Sequence, residues 1–163
     1  MKRNFWLIII SLVIILAGCS QNDQHQSDKG SKNQSNTGKT PYHRIVSLMP
    51  SNTEILYELG LGNRIVGVST VDDYPKSVKK GKKQFDAMNL NKEALLKAKP
   101  DLILAHESQK ATNDKVLKGL KDSGVKIVYV KDAQSIDEMY ESFMQIGKVT
   151  HKEKAAKKLV KET

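Results

Sequence analysis

Cysteine is scarce in this 163-residue chain, and the sequence motifs of several common enzyme classes are missing. The single cysteine, Cys19, excludes an internal disulfide. The first apolar run of the folded part leads into Met-Pro-Ser-Asn-Thr-Glu and not into the glycine-rich turn of a dinucleotide-binding fold. The chain also has neither a P-loop nor a G-x-S-x-G nucleophile turn. Because the neighbouring carboxylates Asp72 and Asp73 do not define an acid/base pair, we expect that the protein is not an enzyme.

Aromatic residues are also few, at 6% of the chain, while 27 Lys and Arg residues outnumber 18 Asp and Glu residues for a net charge of +9. Proteins that bind single-stranded nucleic acid combine basic tracks with aromatic rings on which the bases stack. The aromatic residues after position 40 follow no regular interval. We therefore expect a lysine-covered surface and no nucleic-acid partner.

The N-terminus has the parts of a secretory signal. A positively charged start over residues 1–4 precedes a nearly unbroken apolar run over residues 5–16. That run is shorter than the roughly 20 residues that cross a bilayer as a helix, and it fits the apolar region of a signal peptide. It leads into Leu-Ala-Gly-Cys, which resembles the bacterial lipoprotein signal. The resemblance implies a signal peptide over residues 1–19, with Cys19 as the lipidation site for diacylglycerol and palmitate. It also implies a lipid anchor on the extracytoplasmic face of the cell membrane.

The residues after Cys19 differ sharply in composition from those that follow position 42. Residues 20–40 contain no apolar side chain to offset the entropy of ordering, so we predict a disordered polar tether over residues 20–42. From residue 43 on, short apolar runs alternate with amphipathic ones, which predicts an α/β lobe over residues 43–150. We expect a parallel, Rossmann-like sheet with helices on both faces. Predicted strands cover residues 44–48, 64–68, 101–105 and 125–130.

Helix signals fall between these strands. Ser51 and Glu54 have the spacing of a capping box, which predicts a helix that begins there and ends at Gly60. Residues 76–83 form a basic stretch that we expect on the surface. We predict further helices over residues 93–99, over 113–123 and from the capping box at Ser135, and a lysine-rich helix over 151–163 that lacks a stop signal.

Parallel α/β sheets bind ligands at the carboxyl ends of their strands, which here are followed by residues 49–52, 70–73 and 106–108. Ser51 and Asn52 lie at a helix start, where free backbone N–H groups attract anions. His106 ends a strand and is a candidate contact to an anionic or metal-bearing ligand, although a lone histidine is more often a bystander. A receptor for a bare metal ion needs several His and carboxylate ligands, and we expect no metal site because only His106 lies at this edge.

Several stretches resemble one protein family. Residues 44–69, R-I-V-S-L-M-P-S-N-T-E-I-L-Y-E-L-G-L-G-N-R-I-V-G-V-S, resemble the opening of ABC-importer substrate-binding proteins for cobalamin, iron(III)–siderophores and haem. Residues 73–75, D-Y-P, and residues 88–104 are similar to later motifs of that family, in the same order. The resemblance implies two α/β lobes joined by one long helix, with the ligand in the cleft between them. We expect this chain to supply the first lobe and, from residue 151 on, the start of the truncated interlobe helix.

The resemblance also implies residue roles. Glu93 matches a glutamate that pairs with arginines of the permease transmembrane subunits, although the helix dipole alone also favours a glutamate in a first turn. Phe85 falls where cobalamin binders place an aromatic ring against the ligand, while a core contact is the alternative. Val71 stands at another position where those proteins carry an aromatic ring. Met88 is a candidate soft contact, or an axial ligand in the haem-binding branch, with a buried gap-filling role as the alternative.

Because valine stands at position 71 in place of an aromatic ring, the case for cobalamin as the ligand is weaker. We therefore expect the solute-binding component of an ABC importer that captures an iron(III)–siderophore, with cobalamin, haem or a truncated, non-transporting relic as alternatives. The protein itself would need no cofactor, because the iron or cobalt belongs to the ligand.

Overall fold

The computed structural model describes residues 40–163 of the chain. The predicted signal peptide, Cys19 and the predicted tether up to residue 39 lie outside the described residues. The elements in chain order are β1 (Ile45–Ser47), α1 (Pro50–Glu58), a 3-10 turn (Gly62–Arg64), β2 (Ile65–Ser69), β3 (Lys83–Phe85), α2 (Lys92–Lys97), β4 (Leu102–His106), α3 (Glu107–Asp122), β5 (Lys126–Val130), α4 (Ile136–Val149) and α5 (Glu153–Glu162).

The five strands form one parallel sheet in the order β3-β2-β1-β4-β5. β1 lies at the centre, with Ile45 opposite Ile65 of β2 on one side and opposite Leu102 of β4 on the other. The chain adds strands on one side of β1 and then crosses to the other side. The predicted parallel α/β lobe is confirmed.

Each face of the sheet carries its own apolar core. Ile45 and Leu104 pack with side chains of α1 and α4 in one cluster, whereas Val46 and Ile103 pack with α2 and α3 in the other. Neighbouring residues of a strand separate in this way because successive side chains point to opposite faces. Helices therefore cover both faces, as predicted.

The sequence missed the edge strand β3. Residues 76–83 were expected as basic surface, but Lys83 begins a strand that pairs with Gly67 of β2. Phe85 ends β3 with an exposed fraction of only 6%. A methyl group at Gly67 would lie 2.4 Å from its ring, so the glycine leaves room for the phenylalanine.

Two helix starts differ from the prediction. α1 begins at Pro50 with Met49 as its N-cap, and no side chain caps it, so the predicted capping box at Ser51 is wrong. Proline is favoured at a first helical position because its φ is already helical and its missing N–H has no partner there anyway. α3 begins at Glu107, six residues before the predicted start at Asn113, where the backbone departs from helical angles (φ −119°, ψ 16°). At α4 the predicted capping box is only half present. The Ser135 hydroxyl accepts a hydrogen bond from the Glu138 N–H at 3.2 Å, but the Glu138 carboxylate accepts from the Gln134 N–H instead of the Ser135 N–H.

The folded part also begins earlier than predicted. Thr40 is 5% exposed, and Tyr42 packs against the core cluster that contains α1 and α4. The tether prediction is therefore wrong for residues 40–42, because the tyrosine ring supplies apolar surface that the preceding residues lack.

α5 occupies most of the predicted C-terminal helix. It packs on α4 where a methyl group at Gly147 would lie 2.5 Å from Cβ of Ala156. Its role as the start of an interlobe helix stays a prediction. Among residues 40–163, no helix has the length and apolar character needed to cross a membrane.

Candidate functional site

A cavity of about 520 Å³ opens at the carboxyl ends of β1, β4 and β5. We call it the carboxyl-edge cavity. Its wall comes from one side of α1, the junction of β4 with α3, the loop after β5, and mostly apolar side chains of α4 and α5. Three of the predicted ligand-binding residues line it: Ser51, Asn52 and His106.

A second, larger cavity of about 710 Å³ lies along α4 and α5. Its lining is mostly charged and includes Glu141, Lys148 and Lys157. It shares Lys131, Asp132 and Ser142 with the carboxyl-edge cavity. Its described lining includes no residue of β1, α1 or β4, the elements beside the switch in strand order where such sheets bind ligands. We therefore take the carboxyl-edge cavity as the candidate site.

His106 is held in place through both ring nitrogens. Its Nδ1 accepts hydrogen bonds from the Ser108 N–H at 3.4 Å and from the Ser108 hydroxyl at 2.7 Å. The other nitrogen, Nε2, therefore donates its proton to Asp132 Oδ1, at 2.7 Å. The ring is 5% exposed and joins the start of α3 to the loop after β5. His106 can bind a metal ion only if one of these hydrogen bonds breaks, and residues 40–163 contain no group of three or more His, Cys, Asp or Glu side chains that could hold one.

Gln109 ties the ends of two strands together beneath the cavity. Its amide nitrogen donates to the Leu48 carbonyl at 2.8 Å, and its amide oxygen accepts from the His106 N–H at 3.0 Å. The second bond completes a capping box with His106 as the N-cap of α3. Because Gln109 is 3% exposed, these bonds fix the carboxyl ends of β1 and β4 relative to each other.

Asn52 is a buried polar side chain without a partner. It lines the cavity from the first turn of α1 and is 1% exposed, yet neither its amide nitrogen nor its amide oxygen makes a hydrogen bond. Its neighbour Thr53 is equally buried, but the Thr53 hydroxyl donates to the Met49 carbonyl at 3.1 Å. A buried amide without a hydrogen bond costs free energy, so its position in the cavity wall makes Asn52 a candidate contact for a ligand.

The other predicted ligand contacts do not line the cavity. Val71 and Met88 follow β2 and β3 and are each 68% exposed, so Met88 is not a buried gap filler. Phe85 is buried beside Gly67, which favours its core role over a ligand contact. The ligand contacts of Val71, Phe85 and Met88 stay predictions.

Asn113 positions the loop that carries Met88. Its amide nitrogen donates to the Ala87 carbonyl at 3.1 Å, and its amide oxygen accepts from the Leu90 N–H at 3.1 Å. These bonds coincide with the non-helical backbone of Asn113 in α3. The loop leads into α2, where Glu93 is exposed in the first turn, as a docking residue must be.

Sequence reasoning missed Asp132 and Lys131, which line the cavity directly after β5. The rule that pointed to the ends of the other strands applies equally to β5 and identifies both residues. Gln109 and Asn113 gave no such signal, because they reach backbone groups far along the chain: Leu48 is 61 residues from Gln109, and Leu90 and Ala87 are 23 and 26 residues from Asn113.

Comparisons with known proteins agree with this geometry. A family model of the periplasmic binding protein matches residues 45–163. An uncharacterised ABC transporter substrate-binding lipoprotein of Bacillus subtilis, YvrC, is 44% identical over 174 residues, which cover 98% of this chain and 55% of that protein. A vitamin B12-binding protein of Vibrio vulnificus is 35% identical over 107 residues, which cover 66% of this chain and 38% of that protein.

Among solved structures, the crystal structure of a protein from Staphylococcus epidermidis is similar with a TM-score of 0.73 and 77% identity. That protein is described as a possible iron-binding (periplasmic solute-binding) protein, and the match covers 74% of this chain and 47% of that one. The chain thus spans about half the length of the relatives it matches. With the family model, the relatives and the five-stranded parallel lobe in agreement, the chain belongs to the periplasmic binding protein family.

Proposed function

We propose that the chain acts as the solute-binding component of an ABC importer and delivers an iron(III)–siderophore to a permease. The observation that carries this proposal is the carboxyl-edge cavity in a chain of the periplasmic binding protein family. Its volume of about 520 Å³ suits a small molecule, and it lies where parallel sheets bind ligands. We further propose a lipid anchor at Cys19 on the extracytoplasmic face of the membrane, which the lipoprotein among the relatives supports.

We prefer an iron chelate to a corrinoid as the ligand because of the residues at positions 71 and 85 and because of one similar protein. Val71 offers no aromatic ring, and the Phe85 ring is buried, so neither supplies the flat apolar contact that the resemblance implies for a corrin ring. The Staphylococcus epidermidis protein, at 77% identity, is described as possibly iron-binding. A siderophore complex therefore fits this lobe better than a corrinoid does.

Cobalamin is the second candidate, because the Vibrio vulnificus relative is a vitamin B12-binding protein. A thermal-shift panel on the purified chain separates the two. We expect iron(III)–siderophores to raise the melting temperature and cobalamin and haem to leave it unchanged, because a ligand that binds only the native state stabilises it. Stabilisation by cobalamin alone would transfer the proposal to the corrinoid, and no response to any ligand would favour a non-transporting relic.

Docking to the permease is assigned to Glu93. Its carboxylate is exposed in the first turn of α2 and suits reversible pairing with arginines of a partner. We expect Glu93→Ala, made in a two-lobe receptor that carries this lobe, to leave ligand affinity intact and to lower permease-dependent uptake severalfold. Asp122→Ala, an exposed acidic residue at the end of α3, serves as the control. Uptake that is equal in the two variants would remove Glu93 from the docking surface.

A further inference from the structure

The charged side chains around the carboxyl-edge cavity are mostly acidic. Glu54 and Glu58 of α1 and Asp132 after β5 contribute three carboxylates, whereas Lys131 is the one lysine or arginine among the described lining residues. Glu54 and Glu58 are one helical turn apart on the same side of α1, and both are exposed to solvent. Within the described residues, neither of them forms a salt bridge.

The start of α1 offsets only part of this charge. Counted over Asp, Glu, Lys and Arg, three carboxylates and one lysine give −3 + 1 = −2 for the wall. The free N–H groups at a helix N-terminus act as roughly +0.5 of an elementary charge, which leaves a negative balance. Since the whole chain carries a net charge of +9, the acidic wall is a local feature and does not follow from the composition.

Asn52 adds a neutral polar group to this wall. Its unpaired amide offers one donor group and one acceptor atom. Amide groups of a ligand provide the complementary acceptor and donor without a net charge, whereas a hydroxamate bound to iron(III) is deprotonated and only accepts. A carboxylate or catecholate oxygen can only accept hydrogen bonds, and so it would leave the Asn52 oxygen unpaired.

From these three observations we infer that the carboxyl-edge cavity selects neutral or cationic chelates that carry amide groups and discriminates against anionic ones. This inference rests on the proposed function and narrows its substrate class. It favours the opposite ligand charge from the sequence-based expectation that the helix start at Ser51 and Asn52 attracts an anion, because the acidic side chains outweigh the helix terminus. That expectation stays a prediction.

The test compares three iron(III) chelates of different charge on the purified chain by isothermal titration calorimetry: a cationic trihydroxamate, a neutral cyclic trihydroxamate and a triply anionic triscatecholate. At low ionic strength, we expect the cationic and neutral chelates to bind at least tenfold more tightly than the anionic one. Raising the salt to about 0.5 M shortens the screening length, and the preference for the cationic over the anionic chelate should shrink severalfold.

A pair of double variants separates the local charge from the overall charge. Glu54→Gln with Glu58→Gln removes two carboxylates from the cavity wall, and we expect it to reduce the preference for the cationic chelate severalfold. Asp114→Asn with Asp122→Asn changes the net charge of the chain equally, but on exposed positions of α3, which covers the opposite face of the sheet from α1. We expect this control pair to keep the wild-type preference.

The outcomes distinguish this inference from the proposed function. Binding of the anionic chelate as tightly as, or more tightly than, the neutral and cationic ones overturns the charge preference and leaves the solute-binding role intact. An equal loss of preference in both double variants likewise refutes the role of the cavity carboxylates. If no chelate of any charge binds, the proposed siderophore function fails, and the inference fails with it.

Discussion

Replacement of Asn52 by leucine should stabilise the protein while it weakens ligand binding. Asn52 is 1% exposed, and both polar atoms of its amide lack a partner. A buried polar group without a hydrogen bond costs about 1–3 kcal/mol, and an apolar side chain of similar branching removes that cost. Because Asn52 lines a cavity, the somewhat larger leucine has room and need not overpack the core.

The expected gain is therefore about 1–3 kcal/mol in the free energy of unfolding. For a domain of this size, that corresponds to roughly 4 °C in melting temperature for each kcal/mol. Urea denaturation and calorimetry of the apo chain measure both quantities. In the ligand-binding assay, we expect Asn52→Leu to lower the affinity about tenfold, equivalent to about 1.4 kcal/mol, because the ligand loses a hydrogen-bonding partner.

Thr53→Val is the matched control. Thr53 is fully buried in the same turn of α1, but its hydroxyl donates to the Met49 carbonyl. Loss of this satisfied hydrogen bond should lower stability by about 0.5–1.5 kcal/mol without a change in affinity. If Asn52→Leu also destabilises the chain, Asn52 has a structural partner, and its assignment to the ligand site is refuted.

Three further predictions concern other parts of the chain. Gly67→Ala should lower the free energy of unfolding by about 1–3 kcal/mol in urea denaturation, because its methyl group would lie 2.4 Å from the Phe85 ring; unchanged stability would contradict the core role of that ring. Cys19→Ser should abolish palmitate labelling and move the protein from the membrane fraction to the soluble fraction, and continued labelling would disprove the anchor. Burial is the larger of two causes that raise the pKa of Tyr129 above its usual value of 10.0, and the nearby Asp114 carboxylate is the smaller. The neutral phenol is thus favoured in the folded state, so stability should fall as the pH rises above 10 and fall less steeply in Tyr129→Phe, as pH-dependent denaturation would show.

The sequence predicted the elements that carry strong apolar patterns. β1, β2 and β4 were found because they are almost wholly buried on both faces, as strands of a covered parallel sheet are. β5 was found from its apolar run, although only Val128 and Val130 are buried in it. β3 was missed because its first two residues, Lys83 and Gln84, are exposed at the sheet edge and give no apolar run. Burial of Phe85 on Gly67 is a contact between strands, which periodicity along one strand does not reveal.

The first half of α3 was missed for a different reason. Residues 107–112, E-S-Q-K-A-T, contain no apolar stripe, and the N-cap is His106 instead of one of the usual capping residues. This half is stabilised instead by the bonds of Gln109 to Leu48 and His106. At the site, the parallel-strand rule identified Ser51, Asn52 and His106 by their positions at strand ends. The hydrogen-bond partners of these residues, such as Asp132 for His106, depend on tertiary packing and could be identified only from the structure.

The central claim is that the carboxyl-edge cavity holds a small chelate that the protein releases unchanged. Equilibrium dialysis of the purified chain against a neutral iron(III) trihydroxamate, followed by mass spectrometry of the recovered chelate, tests it most directly. The account predicts saturable binding of one chelate per chain, weakened about tenfold by Asn52→Leu, with the recovered chelate identical in mass to the one added. Binding that Asn52→Leu does not affect, or a recovered chelate with altered covalent structure, would contradict it.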